Sequence, residues 1–378
     1  MKLLYVTDNG FSKKNNIEYY SAPNVSHIGN LSKFFDSFTV VARDDNYYPG
    51  YTKVPNNIKI ILVNKFNIKK LKETIKNEIL SCDAVICYGT NGYYASKIGK
   101  KMNKVVISYN GGDPYDFCRS RGTLAGKILA PIARYMCRQS FKNSDFGHYC
   151  DDFLFEKYPA SGKMLACSGV DIECNDRVYK KRLKKIKNKN NNKYTIGLTG
   201  HLHNSLKGID IAIKALSLLD DNYCLEIAGR GDSAKYKELS RSLGCQNRIK
   251  FLGVLKNGDE LMNWLDRLDI YIQPSRIEGL PRATIEAMSR GCPIASSRAG
   301  ALLKLIDKKY TFDQNDKKGY ETLAKLIQKL SNDKEMINQS TINYNKSKKY
   351  ERKQRDKKYD EFYKTVIAEI QKRKNQQI

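Results

Sequence analysis

The sequence predicts an α/β protein built from two Rossmann-like domains in tandem, facing a central cleft. Three observations carry that prediction. Short, nearly continuous apolar runs alternate with helix-like segments through the first half of the chain. A charged, Asn-rich stretch, KKRLKKIKNKNNNK (180–193), then breaks the pattern. The same alternation restarts at residue 194. Apolar runs of this kind, bounded by turn residues and separated by helices, are what a parallel sheet covered on both faces requires.

The first strand is expected at KLLYVT (2–7), closed by Asp8, Asn9 and Gly10. Its apolar run is too short for a secretory signal. FTVVAR (38–43), IKIILV (58–63), DAVICYG (83–89), KVVISY (104–109), FGHYC (146–150) and KMLACSG (163–169) are further strands, and IKKLKETIKNEILS (68–81) is a helix between two of them. Residues 1–176 therefore form a first domain, and the polar run within 177–193 reads as a linker. In the second domain, 194–343, YTIGLTG (194–200), CLEIAGRG (224–231), RIKFLGV (248–254), LDIYIQPS (268–275) and PIASSRAG (293–300) are strands. KGIDIAIKALSLL (207–219) and RATIEAMSRG (282–291) are helices, the latter closed by Gly291 just past its end. The tail, 344–378, is a charged helix whose Tyr350, Tyr359, Tyr363 and Ile367 share one side. It is either a surface helix or one that crosses back to the first domain.

Composition narrows the function classes. Lys and Arg number 67 against 40 Asp and Glu, a net +27, to which 177–193 alone contributes nine. Such an excess suits nucleic acid, anionic lipid or phosphorylated substrates; it also arises where codon usage favours Lys and Asn. No recognised nucleic-acid module is present, so no nucleic-acid partner is expected. Ten scattered cysteines without a C-x-x-C pair point to reduced thiols and a cytoplasmic location. Four histidines without ligand spacing give no metal site. No run of about 18 apolar residues predicts a spanning helix.

The segment with most chemistry is PSRIEGLPRATIEAM (274–288). A strand ends, a loop from Arg276 to Leu280 follows, and Pro281 suits the first turn of a helix. The helix start brings free N–H groups and partial positive charge toward the cleft. Gly279 lets backbone approach a ligand. Glu286 lies one turn from Arg282 and from Arg290, so the three form either a solvated ladder or a ligand-directed acid among flanking apolar residues. Carboxylates at such a site suit vicinal hydroxyls, each of which donates a hydrogen bond.

A second constellation is TGHLHNSLKG (199–208). Lys207 stands at a helix beginning, the wrong end of the dipole, and is explained either by a bound anion or by a stem that snorkels to water. His201 is a second donor or merely an exposed loop residue. Gly229-x-Gly231-x-x-Ala234 is a weak dinucleotide pattern with no acid at the required distance, and a tight turn is preferred. In SYNGGDPYDF (108–117), Asp113 either touches an acceptor hydroxyl or makes an Asx turn. FCRSRGTLAGKILAPIARYMCRQSFK (117–142) interleaves Arg119, Arg121, Lys127, Arg134 and Arg138 with apolar residues. It is a basic amphipathic segment that lies on an anionic membrane surface or turns its apolar side to the core.

Taken together, Glu278 and Glu286 within PSRIEGLPRATIEAMSRGCPIASSRAG, with TGHLHNSLKGIDIAIKAL, EIAGRG and RIKFLGV in order, resemble the GT-B retaining glycosyltransferases of family 4, the group 1 glycosyltransferases. The resemblance covers roughly 194–305 and extends more loosely to the tail. It implies a nucleotide-sugar donor as substrate, no cofactor and no metal. Glu278 would approach the donor sugar hydroxyls and Glu286 the ribose. Lys207, with His201 where the family often has arginine, would hold the diphosphate, completed by Gly279, Leu280 and Pro281. Asp113 stands at the strand end where many relatives carry a catalytic histidine. The implied reaction is sugar transfer, with retention, to a lipid-linked oligosaccharide or polysaccharide acceptor in surface polysaccharide biosynthesis, the enzyme lying peripherally on the inner face of the cell membrane. The competing readings are a nucleotide-sugar epimerase of similar fold and a non-catalytic basic protein that binds nucleic acid or lipid.

Overall fold

The computed structural model describes residues 1–47, 51–64, 67–120, 122–167, 169–256 and 258–376. The chain divides into two compact units, Met1–Gly169 with Arg355–Ile378, and Val170–Gln354.

The first unit holds strands β1 (Lys2–Lys14), β2 (Ile17–Ser21), β3 (Ser37–Asp44), β4 (Tyr51–Lys53), β5 (Ile58–Val63), β6 (Ala84–Cys87), β7 (Val105–Asn110), β8 (Phe146–Tyr149) and β9 (Met164–Ala166). Helices α1 (Ala22–Ser32), α2 (Ile68–Ser81), α3 (Gly89–Lys101), α4 (Pro114–Arg119) and α5 (Leu124–Asn143) connect them. Seven strands pair in parallel in the order β5-β3-β1-β6-β7-β8-β9. The first strand outruns its predicted length. A register shift between Val6 and Gly10 carries it beyond the sheet, where its end pairs antiparallel with β2, which in turn pairs with β4. That extension has no apolar run of its own, which is why the hydrophobic pattern does not disclose it. The β-branched strands fill the core as expected: Val6, Val40, Val41, Val85, Val106 and Ile107 are fully buried.

The second unit opens with α6 (Asp176–Lys187), then β10 (Tyr194–Thr199), α7 (Ile209–Ser217), β11 (Tyr223–Ala228), α8 (Ala234–Ser242), β12 (Ile249–Gly253), α9 (Asp259–Arg267), β13 (Ile270–Gln273), α10 (Arg282–Ser289), β14 (Ile294–Ser297), α11 (Leu302–Leu305), β15 (Thr311–Phe312), α12 (Gly319–Leu330) and α13 (Asp333–Ser347). Its six strands are all parallel, ordered β12-β11-β10-β13-β14-β15. The chain starts at β10, builds outward one way, then returns to build the other way. The loops after β10 and β13 therefore diverge at the switch point, where a doubly wound sheet opens a crevice at its carboxyl edge.

The last helix, α14 (Arg352–Asn375), begins in the second unit and returns to the first. Its buried residues are Arg355 and, beyond it, Tyr359, Phe362, Tyr363, Val366 and Ile370, an apolar stripe at helical spacing. Tyr359 and Tyr363 were expected there; Ile367 is only partly buried, and Tyr350 packs on the second unit's core instead. The Tyr359 hydroxyl meets His27 Nδ1 and the Tyr363 hydroxyl meets His148 Nδ1, each at 3.3 Å. Burial pushes His148 well below its ordinary pKa, so the ring is neutral.

The basic run read as a linker is largely helix. Asn175 caps α6 by accepting from Arg177 N, and Arg182 and Ile186, four residues apart, are buried. The Arg182 guanidinium donates to the carbonyl oxygens of Leu265 (2.6 Å), Leu268 and Arg290 (3.2 Å) and to Cys292 Sγ (3.2 Å). Composition alone conceals this, because the two buried positions lie among exposed lysines. The second unit accordingly begins at Val170, before the expected boundary. Replacing Arg182 by Ala is expected to cost about 3 kcal/mol in urea unfolding, since the carbonyls lose their donor in a buried setting. Lys184→Ala, on the exposed face of α6, is expected to cost less than about 0.5 kcal/mol.

Candidate functional site

The site is assembled by the loops that leave β10, β11, β13 and β14. Three glycines allow those loops to meet. Gly208 has φ +66° and caps α7; a Cβ there would lie 1.9 Å from Pro274 O. Gly229 lies so close to the first loop that a Cβ would fall 1.8 Å from Gly200 O. Gly300, at φ +53°, sits the same way against Glu278 O at 1.9 Å. Arg276 then fastens the first loop to the third. Its backbone N donates to Leu206 O at 2.8 Å, its Nη1 to Ser205 O at 2.6 Å, and its guanidinium grips Asp210 in two bonds of 2.8 and 2.7 Å.

This framework places Lys207 Nζ 2.6 Å from Glu278 Oε1. The Glu278 side chain is only 6% exposed and that of Lys207 29%. Oε1 also accepts from Ser275 Oγ at 2.7 Å and Gln273 Nε2 at 3.2 Å. Behind it runs a chain of hydroxyls and amide: Thr199 Oγ1 meets the Tyr271 hydroxyl at 2.6 Å, that hydroxyl donates to Gln273 Oε1 at 2.7 Å, and Gln273 Nε2 donates to Ser275 Oγ at 2.7 Å. Tyr271, Gln273 and Ser275 are all buried. They are alternate residues, so they share one side of the strand and its exit. Each donor has an acceptor, which is what permits a polar chain inside a core. Among the described residues, the bonds to this carboxylate all end on Oε1, and Oε2 carries none.

Glu286 lies inside α10 and is half-buried. Burial raises its pKa, opposed by the charge of Arg282 and reinforced by Asp171. Its carboxylate has no hydrogen-bond or ion-pair partner among the described residues. The ladder with Arg290 does not form, because Arg290 is bound in two bonds to Asp266, at 2.7 and 2.5 Å. Pro281 is the cap residue of α10 rather than its first helical residue, and no side chain caps the helix. Gly279 O accepts from Ala301 N at 3.1 Å, and Leu280 packs on the second unit's core.

His201 sits among cations. Protein crowded around the ring and, after it, the charges of Arg230, Lys207, His203 and Arg282 push it down to about 4. At neutral pH it is uncharged. Arg230 Nε lies 3.2 Å from its Nδ1, and because Arg only donates, the imidazole proton rests on Nε2. Arg230 is a residue that the sequence reading passed over, as were Arg276, Gln273 and Ser275. The alternation Tyr-x-Gln-x-Ser through β13 was the available signal for the last two.

Asp113 belongs to the other unit. It caps α4, accepting from Tyr115 N at 3.0 Å, and also takes Lys157 Nζ at 2.8 Å and the Tyr158 hydroxyl at 2.6 Å. Burial alone would raise its pKa, but those donors hold it below the ordinary range. The Asx-turn reading describes its geometry. Among the basic residues of the amphipathic segment, Arg121 lies outside the described residues. Arg119 donates to the Tyr115 hydroxyl at 3.2 Å, Arg134 stacks 3.6 Å over the Tyr115 ring, Arg138 Nε reaches Lys157 O at 3.2 Å, and Lys127 is exposed. Of the large apolar residues of α5, Phe141 is buried, but five others face outward. Leu124, Ile128, Leu129, Ile132 and Tyr135 are exposed, Leu124 by 74%, while the buried positions are Gly126, Ala130, Ser140 and Phe141. No helix among the described residues is long and apolar enough to cross a membrane.

Two Rossmann-like units, one carrying acids and cations on the loops at its switch point, define a protein of the GT-B class. The chain belongs to the glycosyl transferases group 1, whose family model matches residues 180–376, just over half of the chain. Protein CapJ of Staphylococcus aureus is 32% identical over 257 residues, 66% of this chain and 64% of its own length, so less than two thirds of that relative is spanned. The amylovoran biosynthesis glycosyltransferase AmsK of Erwinia amylovora is 33% identical over 111 residues, 27% of each chain. Among solved structures, Anabaena HepE in complex with UDP superposes with a TM-score of 0.68 at 14% identity, covering 97% of this chain and 100% of that one. Sucrose-phosphate synthase from Thermosynechococcus elongatus gives 0.70 at 12% identity over the same shares. At these identities the likeness is one of fold.

Because Arg276, alone among the described residues, bonds the first loop to the third through both side chain and backbone, Arg276→Ala is expected to loosen the first. Amide hydrogen exchange across Leu206–Asp210 should quicken at least tenfold while the β10 and β13 amides stay protected; unchanged exchange in that loop would show that the glycine contacts suffice.

Proposed function

We propose that the chain is a retaining hexosyltransferase that moves a sugar from a nucleoside-diphosphate donor to a hydroxyl of a lipid-linked or polysaccharide acceptor, in surface polysaccharide biosynthesis. The observation that carries this reading is the pairing of Lys207 with a buried Glu278 whose second oxygen is unused, beside a Glu286 whose carboxylate is uncommitted. Cations beside hydroxyl-seeking acids suit a ligand that is anionic at its diphosphate and rich in hydroxyls at both ends. Glu278 Oε2 accepts from hydroxyls of the donor sugar, and Glu286 from the ribose. Lys207 and the unsided beginning of α10, with backbone at Gly279, Leu280 and Pro281, receive the charge that grows on the diphosphate as it leaves. Those fixed cations serve the role a metal plays elsewhere, and the reaction is proposed to need none.

In the transfer itself, the acceptor oxygen bonds to the anomeric carbon on the face from which the phosphate departs. The bond from that carbon to the phosphate oxygen breaks, and the hydroxyl proton passes to the departing phosphate. Acceptor recognition is assigned to the first unit. No proton-transfer step is given to Asp113, since its oxygens are taken by Tyr115, Lys157 and Tyr158.

The outward apolar stripe of α5, flanked by Arg119, Lys127, Arg134 and Arg138, supports a peripheral position on an anionic membrane, at the cytoplasmic face where lipid-linked acceptors are loaded. An apolar stripe beside cations is the arrangement by which a helix lies in a lipid interface, and exposed leucines and isoleucines gain from that burial.

A thermal-shift panel of UDP-, GDP- and ADP-sugars tests the donor site. At least one is expected to raise the melting temperature, with or without EDTA, as a ligand at 100 times its Kd adds about 2.7 kcal/mol. Glu286→Ala and Lys207→Ala should abolish the shift; a panel with no stabilising sugar nucleotide would remove the reading. For the membrane, co-sedimentation with phosphatidylglycerol-containing vesicles should be strong at low salt and weak at high salt. Ile128→Ser with Ile132→Ser, both at exposed positions, should cut the bound fraction severalfold without lowering the melting temperature. Equal binding by that variant would show that charge alone is responsible.

A further inference from the structure

The extension of β1 past its register shift builds a small antiparallel ribbon, β1-β2-β4, whose two faces differ. Residues opposite one another across such a ladder point to the same side, and side chains alternate along each strand. One face holds Phe11 and Tyr20, buried and stacked with ring centroids 3.9 Å apart. The other holds Lys14, Tyr19, Tyr51 and Lys53, with Tyr19 opposite Lys53 and Tyr51 opposite Ser21. Tyr47 stands against this second face. Its ring meets that of Tyr19 at 5.1 Å and 77°, and that of Tyr51 at 6.2 Å and 78°. Two rings on the ribbon and a third nearly perpendicular to both make a corner with a floor and a wall. Tyr47 is 37% exposed, and Tyr19 and Tyr51 are half-buried. Lys14 Nζ lies 4.8 Å over the Tyr47 ring. Lys14 and Lys53 are exposed, and neither has an ion-pair partner among the described residues. Lys13, on the other face, pairs with Glu18 at 3.8 Å, while Asp44 and Asp45 lie further back along β1, beside Phe11 and Gly10. Cross-strand packing accounts for rings that touch. It does not account for rings left open to water beside two unneutralised lysines.

We propose that this corner binds an acidic glycan chain, a polymer of sugar rings that carry carboxylates. This rests on the assignment of the acceptor to the first unit and deepens it by naming the acceptor's class. A pyranose presents a flank of C–H groups, which packs on an aromatic face, and a rim of hydroxyls. Tyrosine answers both, with an apolar body and a polar tip. The two lysines complement the carboxylates from the same face. Side chains on one face of a strand recur about every 7 Å, so the surface suits a run of rings rather than a single one. Ser12, opposite Tyr19, is buried, and its hydroxyl has no hydrogen-bond partner among the described residues, so polar capacity beside the rings is unused. An anionic bilayer is the other class of partner that rings and lysines suit. Tyrosines interleaved with serines favour the sugar, in contrast to the leucines and isoleucines that face outward on α5.

The test is isothermal titration of the full chain, without nucleotide, with oligomers of galacturonate, mannuronate and hyaluronate. Neutral gluco-oligomers and polyglutamate serve as controls, the first with rings and no charge, the second with charge and no rings. Wild type should bind at least one uronic oligomer, at least tenfold more tightly than either control. Tyr47→Ala should weaken that binding at least fivefold, and Tyr47→Phe, which keeps the ring, less than twofold. Lys14→Ala with Lys53→Ala should weaken it at least tenfold. Tyr47 lies outside the strands, so the melting temperature should not change; if Tyr47→Ala does lower it, the exposed lysine pair carries the test alone. No binding of any uronic oligomer, or binding indifferent to these variants, overturns the proposal. Equal affinity for polyglutamate, unaffected by Tyr47→Ala, reduces the surface to a charge patch and also overturns it. So does a Tyr47→Ala variant that loses co-sedimentation with phosphatidylglycerol-containing vesicles and keeps its glycan affinity, since the ribbon is then a lipid contact. If uronic oligomers bind through Tyr47 and the lysines but no sugar nucleotide binds, the transferase reading fails and the glycan site stands. If sugar nucleotides bind and no oligomer does, the glycan site fails and the transferase reading stands.

Discussion

The second unit is organised around one carboxylate oxygen. Glu278 Oε1 accepts from Lys207, Ser275 and Gln273, and those donors come from the loop after β10 and from the end of β13 with the turn that leaves it. A buried carboxylate is tolerated only when its charge is met and its lone pairs are used. Here one oxygen takes the whole structural load and the other is left available. The glycine at 208 is what lets the first loop reach the third at all, since any side chain would strike the Pro274 carbonyl. Remove the approach of the loops, and Lys207 no longer stands opposite Glu278.

The polar chain behind that oxygen fixes the orientation of the carboxylate. Thr199, Tyr271, Gln273 and Ser275 pass donors in one direction, ending on Glu278. The Gln273 amide is oriented by Tyr271 on one side and by Ser275 on the other. The acid therefore does not share its site with a competing acceptor. The cations beside it follow a different rule. His201 stays neutral in their company, because desolvation of the ring and, after it, the charges of Arg230, Lys207, His203 and Arg282 disfavour its protonation.

The first unit shows the opposite economy. Its functional suggestion lies outside, on α5, where Leu124, Ile128, Leu129, Ile132 and Tyr135 face water while Gly126, Ala130, Ser140 and Phe141 are buried. That inversion is invisible to a periodicity count, which reports that a stripe exists and not which way it turns. Its core, by contrast, spends polar groups on architecture. His27, His148, Tyr359 and Tyr363 meet where the last helix docks, and Asp113 closes a helix and anchors Lys157 and Tyr158.

The succession of strands along the chain, their alternation with helices and the acids at 278 and 286 were legible in the chain, because each depends on neighbours in sequence: apolar periodicity, glycine and proline punctuation, and the spacing of two glutamates. The helical character of 176–187 was not, since two buried positions among lysines leave no compositional trace. Nor were Arg230 and Arg276 singled out, because their partners lie far off in sequence, 29 residues for His201 and 71 for Ser205; Gln273 and Ser275 bond within five residues, and only their alternation along the strand and its exit marked them. The sequence by itself determined which groups are present at the strand ends. Only the tertiary structure decided which of them meet, because that depends on parallel strands setting distant loops side by side and on glycines letting those loops close to hydrogen-bond distance.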